Sequence, residues 1–283
     1  MRVITVSLIG VVLSTACSAG RDTTAPSSNQ RTQGLTASTL VLDAACGDVI
    51  VTDLRLESDL ACPGDGLIVT GSGLKINLNG HTIAGSAVGA GIRVNSSQDV
   101  SIYGGTVRGF LRGVYVVAST GIVIKDNEFT GNGTAVLLEA SSSNTIKGNV
   151  ARLNGARAFM LRPNLAGTVV STNNDIIENL LIDNPTGIYL IRQPGNTIKG
   201  NTISGSNVAA IDLDPAPLGA SGNLIKGNLL TNGGAGIRFG LGWTANTILG
   251  NTIQANICGF QGPSAGNTLQ GNVLVGNTTD FCL

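Results

Sequence analysis

The chain has 283 residues, with 17 basic and 17 acidic side chains, so its formal net charge is zero. A balanced charge argues against a nucleic-acid-binding protein, which needs a basic face to meet the phosphates. Hydrophobic residues make up 42% of the chain and charged residues 12%, which excludes a disordered protein. The 40 glycines favour short strands joined by tight turns.

The N-terminus predicts export. Met1 and Arg2 precede an apolar run from Val3 to Ala16 that is too short to span a bilayer and is typical of a signal peptide. The run ends at Cys17 in a sequence that resembles the lipobox of bacterial lipoproteins, in which this cysteine carries the lipid. Ordinary cleavage after Ala16 or Ala19 is the alternative. The protein is therefore expected to be a bacterial outer-membrane or cell-surface lipoprotein, or a secreted protein, and to meet the membrane only through that lipid.

Three regions follow from this reading: a signal peptide over residues 1–16, a flexible polar tether over 17–39, and one folded domain over 40–283. Removing Cys17 from the five cysteines leaves four, an even number that suits an oxidising compartment. The spacing in the sequence favours pairing Cys46 with Cys62 and Cys258 with Cys282. The other two pairings would cross the whole domain if its repeats stack in order.

Residues 40–63 are predicted to form an N-terminal cap, because an open stack of repeats needs an atypical unit at its end. A recurring phrase then dominates the chain. Asn-Thr-Ile-Lys-Gly-Asn begins at Asn144 and Asn196, and variants of it begin at Asn174, Asn223, Asn246 and Asn267. Intervals of roughly 20–30 residues indicate stacked repeats.

Each repeat contains three short segments that alternate apolar and polar residues, and none shows a helical period. We predict an all-β fold, a single-stranded right-handed parallel β-helix solenoid of about ten rungs with three short strands per rung, the rungs about 4.8 Å apart. The Ile of the phrase is expected to point inward. The closing Asn is expected to form a ladder at a bend, where its amide bonds the Asn of the next rung. The only histidine, His81, falls in the same slot and is interpreted as structural.

Residues from about Leu40 to Leu283, with the Cys46-Gly-Asp and Cys62-Pro-Gly-Asp-Gly-Leu opening, resemble the right-handed parallel β-helix repeat family of secreted bacterial proteins, with a pectate-lyase-like fold. The resemblance implies the fold but leaves several activities open, among them polysaccharide lyases, glycoside hydrolases, epimerases and copper-binding accessory proteins. The specific motifs of the epimerases, polygalacturonases and pectate lyases are missing.

The candidate site lies on the outward face of the first strand of each rung, between two unusually long loops. One loop runs from Leu161 to Asn174 and the other from Leu213 to Asn223. The predicted catalytic residues are Tyr189, Asp212, Asp214 and Arg238, and the predicted substrate-binding residues are Arg162, Arg192 and Trp243.

Asp212 and Asp214 lie two residues apart on one strand face, so their carboxylates are expected about 6–7 Å apart. This spacing suits either a calcium site or the acid and base of an inverting hydrolase. In a lyase or epimerase, an Arg would neutralise the sugar carboxylate and Tyr189 or an Arg would move the proton. The alternative for the two aspartates is a purely structural role before the turn at Pro215 and Pro217, and for Trp243 it is a loop anchor.

Three functions remain open from the sequence. The first is a secreted or surface-tethered monomer that binds, and potentially cleaves or epimerises, an acidic polysaccharide, with calcium as its one candidate cofactor. The second is a non-catalytic structural or adhesion protein. The third is a periplasmic copper-binding accessory protein, which ranks last because one His, two Met and four cysteines expected in disulfides supply few ligands.

Overall fold

A computed structural model of the protein describes residues 44–214 and 219–283. The predicted signal peptide, Cys17 and the tether lie outside these residues, as does the Pro215–Pro217 turn. The described chain forms 31 short strands in three parallel sheets of eleven, ten and ten strands. Within these ranges there is no helix long and apolar enough to cross a bilayer.

Sheet A contains the first strand of every rung: β1 (Val49–Ile50), β4 (Leu67–Val69), β7 (Ala90–Asn95), β10 (Arg112–Val117), β13 (Thr134–Glu139), β16 (Arg157–Arg162), β19 (Thr186–Leu190), β22 (Ala209–Leu213), β25 (Ala235–Phe239), β28 (Cys258–Gln261) and β31 (Thr279–Cys282).

Sheet B contains β2 (Leu54–Arg55), β5 (Lys75–Asn77), β8 (Ser101–Tyr103), β11 (Val123–Lys125), β14 (Thr145–Lys147), β17 (Asp175–Ile177), β20 (Thr197–Lys199), β23 (Leu224–Lys226), β26 (Thr247–Leu249) and β29 (Thr268–Gln270). Sheet C contains β3 (Leu60–Ala61), β6 (Thr82–Ala84), β9 (Thr106–Arg108), β12 (Glu128–Thr130), β15 (Val150–Arg152), β18 (Leu180–Ile182), β21 (Thr202–Ser204), β24 (Leu229–Thr231), β27 (Thr252–Gln254) and β30 (Val273–Val275).

Every strand pairs in parallel with the strand three places later, so the chain coils through sheets A, B and C in turn. This confirms the predicted parallel β-helix of about ten turns. The Ile of the recurring phrase stacks as expected. Ile176, Ile198 and Ile225 are in register on sheet B and are fully buried. Alternation within three-residue strands places the flanking residues outward, which builds one continuous apolar core.

The closing Asn of the phrase forms the predicted ladder. The backbone N–H and the side-chain amide of Asn179 both donate to Oδ1 of Asn201, at 3.0 and 2.9 Å. Asn201 donates in the same way to Asn228, at 2.9 and 3.0 Å. Its amide also reaches the carbonyl oxygen of Ile176 at 2.8 Å. Each buried Asn therefore satisfies polar groups at the bend between sheets B and C.

Two further ladders were not predicted. The leading Asn of the phrase forms one at the bend between sheets A and B, as in the bonds from Asn144 to Asn174 and from Asn174 to Asn196. The third lies at the bend between sheets C and A, where Asn132 bonds Asn154. Ser206 and Gly233 occupy two positions of this third ladder, and the hydroxyl of Ser206 is buried without a hydrogen-bond partner. Neither Ser206 nor Gly233 carries the side-chain amide that links neighbouring rungs elsewhere in this ladder.

Both predicted disulfides are confirmed. Cys46 and Cys62 join the N-terminal rungs with a Cα–Cα distance of 5.4 Å, and Cys258 and Cys282 join the last two strands of sheet A at 6.1 Å. They are the bonds of a protein that folds in an oxidising compartment. His81 lies in the predicted slot, but its ring turns out of the ladder, and its Nδ1 lies 3.2 Å from the Asp59 carboxylate.

Candidate functional site

The outer face of sheet A presents three columns of side chains, one residue per rung in each. The middle column is the one predicted from the sequence: Arg93, Tyr115, Leu137, Met160, Tyr189, Asp212 and Arg238. The first column contains Ala90, Arg112, Thr134, Arg157, Thr186, Ala209 and Ala235. The third column begins Asn95, Val117, Glu139 and Arg162. The third column continues through Ile191, Asp214 and Gly240. Their backbone N–H groups donate to the preceding rung, to the carbonyl oxygens of Leu161, Leu190 and Leu213.

Four of the predicted residues come together with Arg157 in a cluster that we call the Tyr189 cluster. Tyr189 donates its hydroxyl hydrogen to Asp214 at 2.9 Å. Arg238 pairs with Asp212 through two of its nitrogens, with Nε at 2.9 Å from Oδ1. The guanidinium carbon of Arg157 lies 4.2 Å from the centre of the Tyr189 ring, a cation–π contact.

Electrostatics hold Tyr189 in its protonated form. Burial and the hydrogen bond to Asp214 raise the pKa of Tyr189 to about 12. The hydrogen bond to Asp212 raises the pKa of Arg238 above its already high ordinary value, so this guanidinium stays charged. The carboxylate of Asp212 is only 1% exposed and is neutralised by that bidentate pair. Tyr189 is therefore a hydrogen-bond donor at neutral pH, and it is poorly suited to accept a proton as a base.

The raised pKa of Tyr189 predicts a stability loss at high pH. Because the folded-state pKa lies above the ordinary value of 10.0, the stabilising contribution is complete below pH 10 and is lost as the pH rises through about 12. Phenolate absorbance during an alkaline titration measures the ionisation directly. We expect Tyr189→Phe to remove a step near pH 12 and to flatten the alkaline fall in stability. If the difference in phenolate absorbance between the wild type and Tyr189→Phe titrated near pH 10, it would contradict the burial and the hydrogen bond described for Tyr189.

Arg162 belongs to a second group, the Tyr115 cluster, and does not reach the Tyr189 cluster. Its guanidinium turns back one rung to Glu139, with Nε at 2.9 Å from the carboxylate. Tyr115 donates to the same carboxylate at 2.6 Å. Burial and this hydrogen bond raise the pKa of Tyr115. Sequence reasoning missed the roles of Tyr115 and Glu139. The signal was a Tyr in the middle column followed by a carboxylate in the third column one rung later.

Trp243 takes the role of a loop anchor, which is the alternative that the sequence offers to sugar binding. The side chain is 1% exposed, and its Nε1 donates to the backbone carbonyl of Asp214 at 2.9 Å. It therefore anchors the loop to the core and offers no ring face for stacking on a sugar. Arg192 lies beside the first long loop, since a β-carbon at Gly167 would be 2.7 Å from its guanidinium. Arg192 remains a candidate binding residue at the edge of the face.

The predicted calcium site lacks a donor set in the described chain. Arg238 occupies both carboxylate oxygens of Asp212, and Asp214 accepts from Tyr189. Across residues 44–214 and 219–283, no three or more His, Cys, Asp or Glu side chains come together in a group that would hold a metal ion. A calcium ion normally takes six to eight oxygen ligands, so calcium at this face remains a prediction that would need backbone carbonyls and waters for most of its ligands.

Comparison with models of protein families shows to which family this chain belongs. The model of the family described as "Periplasmic copper-binding protein (NosD)" matches residues 58–282. The chain belongs to the NosD family. No curated protein matches the sequence.

The described residues do not fit the copper of the NosD family's description. Copper sites use imidazole, thiolate and thioether ligands. The only histidine, His81, lies beside Asp59 at the N-terminal end, and four cysteines are bonded in pairs. Met160 is the one methionine in the described ranges. The described residues therefore do not supply a copper site in this member of the NosD family.

Solved structures with the same fold have little sequence identity to this NosD family member. The Dettilon tailspike protein is 17% identical with a TM-score of 0.56, and the match covers 81% of this chain and 61% of that one. An alginate lyase from a Paenibacillus species is 15% identical with a TM-score of 0.52, covering 84% and 93%. The Streptococcus pneumoniae surface protein and adhesin PfbA is 11% identical with a TM-score of 0.56, covering 83% and 90%. These likenesses show the fold.

Proposed function

We propose that this chain is an exported protein that binds an acidic polysaccharide along the outer face of sheet A and does not cleave it. Arg157 carries the proposal. Its guanidinium is stacked on Tyr189, and within the described part of the chain no carboxylate lies within ion-pair distance of it. Arg162 and Arg238 on the same face are already paired with Glu139 and Asp212. A partly exposed, positioned guanidinium is suited to the bidentate recognition of a sugar carboxylate.

The protonation of Tyr189 and the pairing of Asp212 favour binding over catalysis. An epimerase or lyase base must accept a proton near neutral pH, whereas Tyr189 keeps its proton until the pH reaches about 12. A hydrolase needs two carboxyl groups that reach the scissile bond. Asp212 is buried and paired with Arg238 instead. The same groups serve binding well, because they hold Tyr189 and its neighbours in fixed positions before the ligand arrives.

The fold comparisons support this proposal in outline. The alginate lyase is named for a uronic acid polymer, and PfbA is named as a surface protein and adhesin. A lipid on Cys17 would tether the rod to the membrane surface and leave sheet A free to meet a glycan. A purely structural rod is the second candidate function. The Asn ladders favour it, because they stiffen the stack whether or not a ligand is bound.

The test is a binding panel with the exported protein. We expect polygalacturonate and alginate to bind, with an affinity that falls as salt is added, and dextran and carboxyl-reduced polygalacturonate not to bind. Arg157→Ala should weaken uronate binding roughly tenfold or more, since a charge-assisted bidentate bond is lost. Arg152→Ala is the matched control, because Arg152 is an exposed arginine on sheet C that pairs with Glu128.

Several results would overturn the proposal. If no uronate polymer binds better than dextran, the rod is structural. If Arg157→Ala and Arg152→Ala behave alike, the glycan lies elsewhere. Release of unsaturated products or new reducing ends from any polymer would show that the protein is an enzyme.

A further inference from the structure

The arrangement around Arg157 occurs twice on sheet A. In the Tyr115 cluster the covering arginine is Arg112, on the same strand as the tyrosine, whereas Arg157 lies one rung before Tyr189; the guanidinium carbon of Arg112 lies 4.7 Å from the centre of the Tyr115 ring. Tyr115 donates to Glu139 in the third column one rung later, as Tyr189 donates to Asp214. In both clusters a carboxylate fixes the hydroxyl end of the ring, and an arginine from the first column covers its face.

The two stacked arginines are equivalent in their charge state. Arg112, like Arg157, has no carboxylate within ion-pair distance in the described ranges, and both are only partly buried. Arg93 also lies over the Tyr115 ring, at 5.2 Å, but Asp65 neutralises it at 3.1 Å. Among the described residues of this face, Arg112 and Arg157 are therefore the two guanidiniums that are stacked on a tyrosine and have no ion pair.

Register places Arg112 and Arg157 in line with the helix axis. Arg112 pairs with Thr134, and Thr134 pairs with Arg157. Two rungs separate the arginines, which is about 10 Å at the usual spacing of strands. A linear polymer that lies along the axis would therefore meet two guanidiniums, two rungs apart.

The middle column between the clusters is apolar and largely buried. Tyr115 and Leu137 form a buried cluster on the outer face, separate from the core, and the partly buried Val117 and Met160 pack against it. Met160 is followed in register by Tyr189. Val117 and Met160 are the partly exposed apolar side chains of this stretch, and cations lie beside them, which suits a sugar acid with C–H groups on its ring faces and a carboxylate at its edge.

We propose that Arg112 and Arg157 are the anchors of two subsites of a single extended site, which takes a uronic acid oligosaccharide long enough to place carboxylates two rungs apart. This inference rests on the proposed function and specifies its ligand. Binding at the second anchor becomes intramolecular once the first is engaged, so affinity should depend on chain length. An oligomer that reaches only one anchor gains nothing from the other.

Calorimetry with oligogalacturonates and oligomannuronates of two to eight units tests the proposal on the exported protein. We expect affinity to rise by roughly tenfold or more between the shortest oligomers and those that span both arginines. Arg112→Ala should abolish that rise and leave the affinity for the shortest oligomers within a factor of about two, because Arg157 still binds them. Arg112→Lys, which keeps the charge and loses the planar fork, should give an intermediate result and guards against a folding defect. Arg152→Ala should match the wild type.

The outcomes separate this inference from the proposed function. If Arg157→Ala weakens binding and Arg112→Ala does not, the glycan site stands and the second subsite is wrong. A smooth rise of affinity with length that survives Arg112→Ala would also refute it. If neither substitution changes uronate binding relative to Arg152→Ala, both the subsites and the proposed function fail.

Discussion

Replacing Asn201 by alanine is expected to lower the free energy of unfolding by about 3–5 kcal/mol, among the largest effects of any polar substitution in this chain. Asn201 is buried in the middle of its ladder. Its Oδ1 accepts both donors of Asn179, and its amide donates to Asn228 and to the carbonyl of Ile176. The substitution leaves these groups buried without partners, and each costs about 1–3 kcal/mol, partly offset by local relaxation.

Urea unfolding followed by circular dichroism measures the change for Asn201→Ala. Asn207→Ala is the matched control, since Asn207 is an exposed Asn at a bend and makes no side-chain hydrogen bond within the described chain. It should change stability by no more than about 0.5 kcal/mol. A loss below about 1 kcal/mol for Asn201→Ala would mean that water replaces the ladder bonds and that the ladder does not stabilise the rod.

Trp243→Ala is the second substitution with a large expected effect, about 3–5 kcal/mol of stability. Trp243 is the largest fully buried side chain, and its removal leaves a cavity under the loop. Trp243→Phe keeps most of the volume and should cost about 1–3 kcal/mol, because the hydrogen bond from the indole Nε1 to the Asp214 carbonyl is lost. Since that bond fixes the backbone of Asp214, the partner of Tyr189, we expect uronate affinity to fall in both variants.

Fluorescence gives an independent check, because Trp243 is the only tryptophan in the sequence. The buried indole should emit in the blue part of the tryptophan range and resist quenching by acrylamide. Saturating uronate should leave that emission unchanged. Emission typical of an exposed indole, or strong quenching by the glycan, would restore the interpretation of Trp243 as a sugar-stacking residue and would contradict its burial.

This chain belongs to the NosD family, yet its described residues do not group into a metal site. The two findings are compatible because the fold and the exposed site depend on different residues. The fold is determined by core Ile and bend Asn residues, which tolerate wide variation in outward positions. On sheet A these outward positions carry arginines, tyrosines and carboxylates. A β-helix can in this way keep its family architecture while the residues of its exposed face vary.

The sequence by itself determined the architecture. An Ile and an Asn that recur together at intervals of roughly 20–30 residues admit few folds other than a stacked coil, so the rungs, the core and one ladder followed from the repeat. The disulfide partners also followed from spacing, because stacking in order leaves only neighbouring rungs within reach. The middle column of sheet A followed as well, since alternation in a strand states which residues point outward.

Tertiary structure alone decided the partners. Arg162 was expected beside Tyr189, but a long side chain reaches either neighbouring rung, and the charge of Glu139 draws it backward. Trp243 was a candidate either for sugar binding or for anchoring a loop, and the apolar area of an indole together with the hydrogen bond from its Nε1 to the carbonyl of Asp214 favours the interior. The two Tyr–carboxylate clusters became visible only when rungs of unequal length were brought into register. Periodicity states which way a side chain points, and only the folded chain states what it meets there.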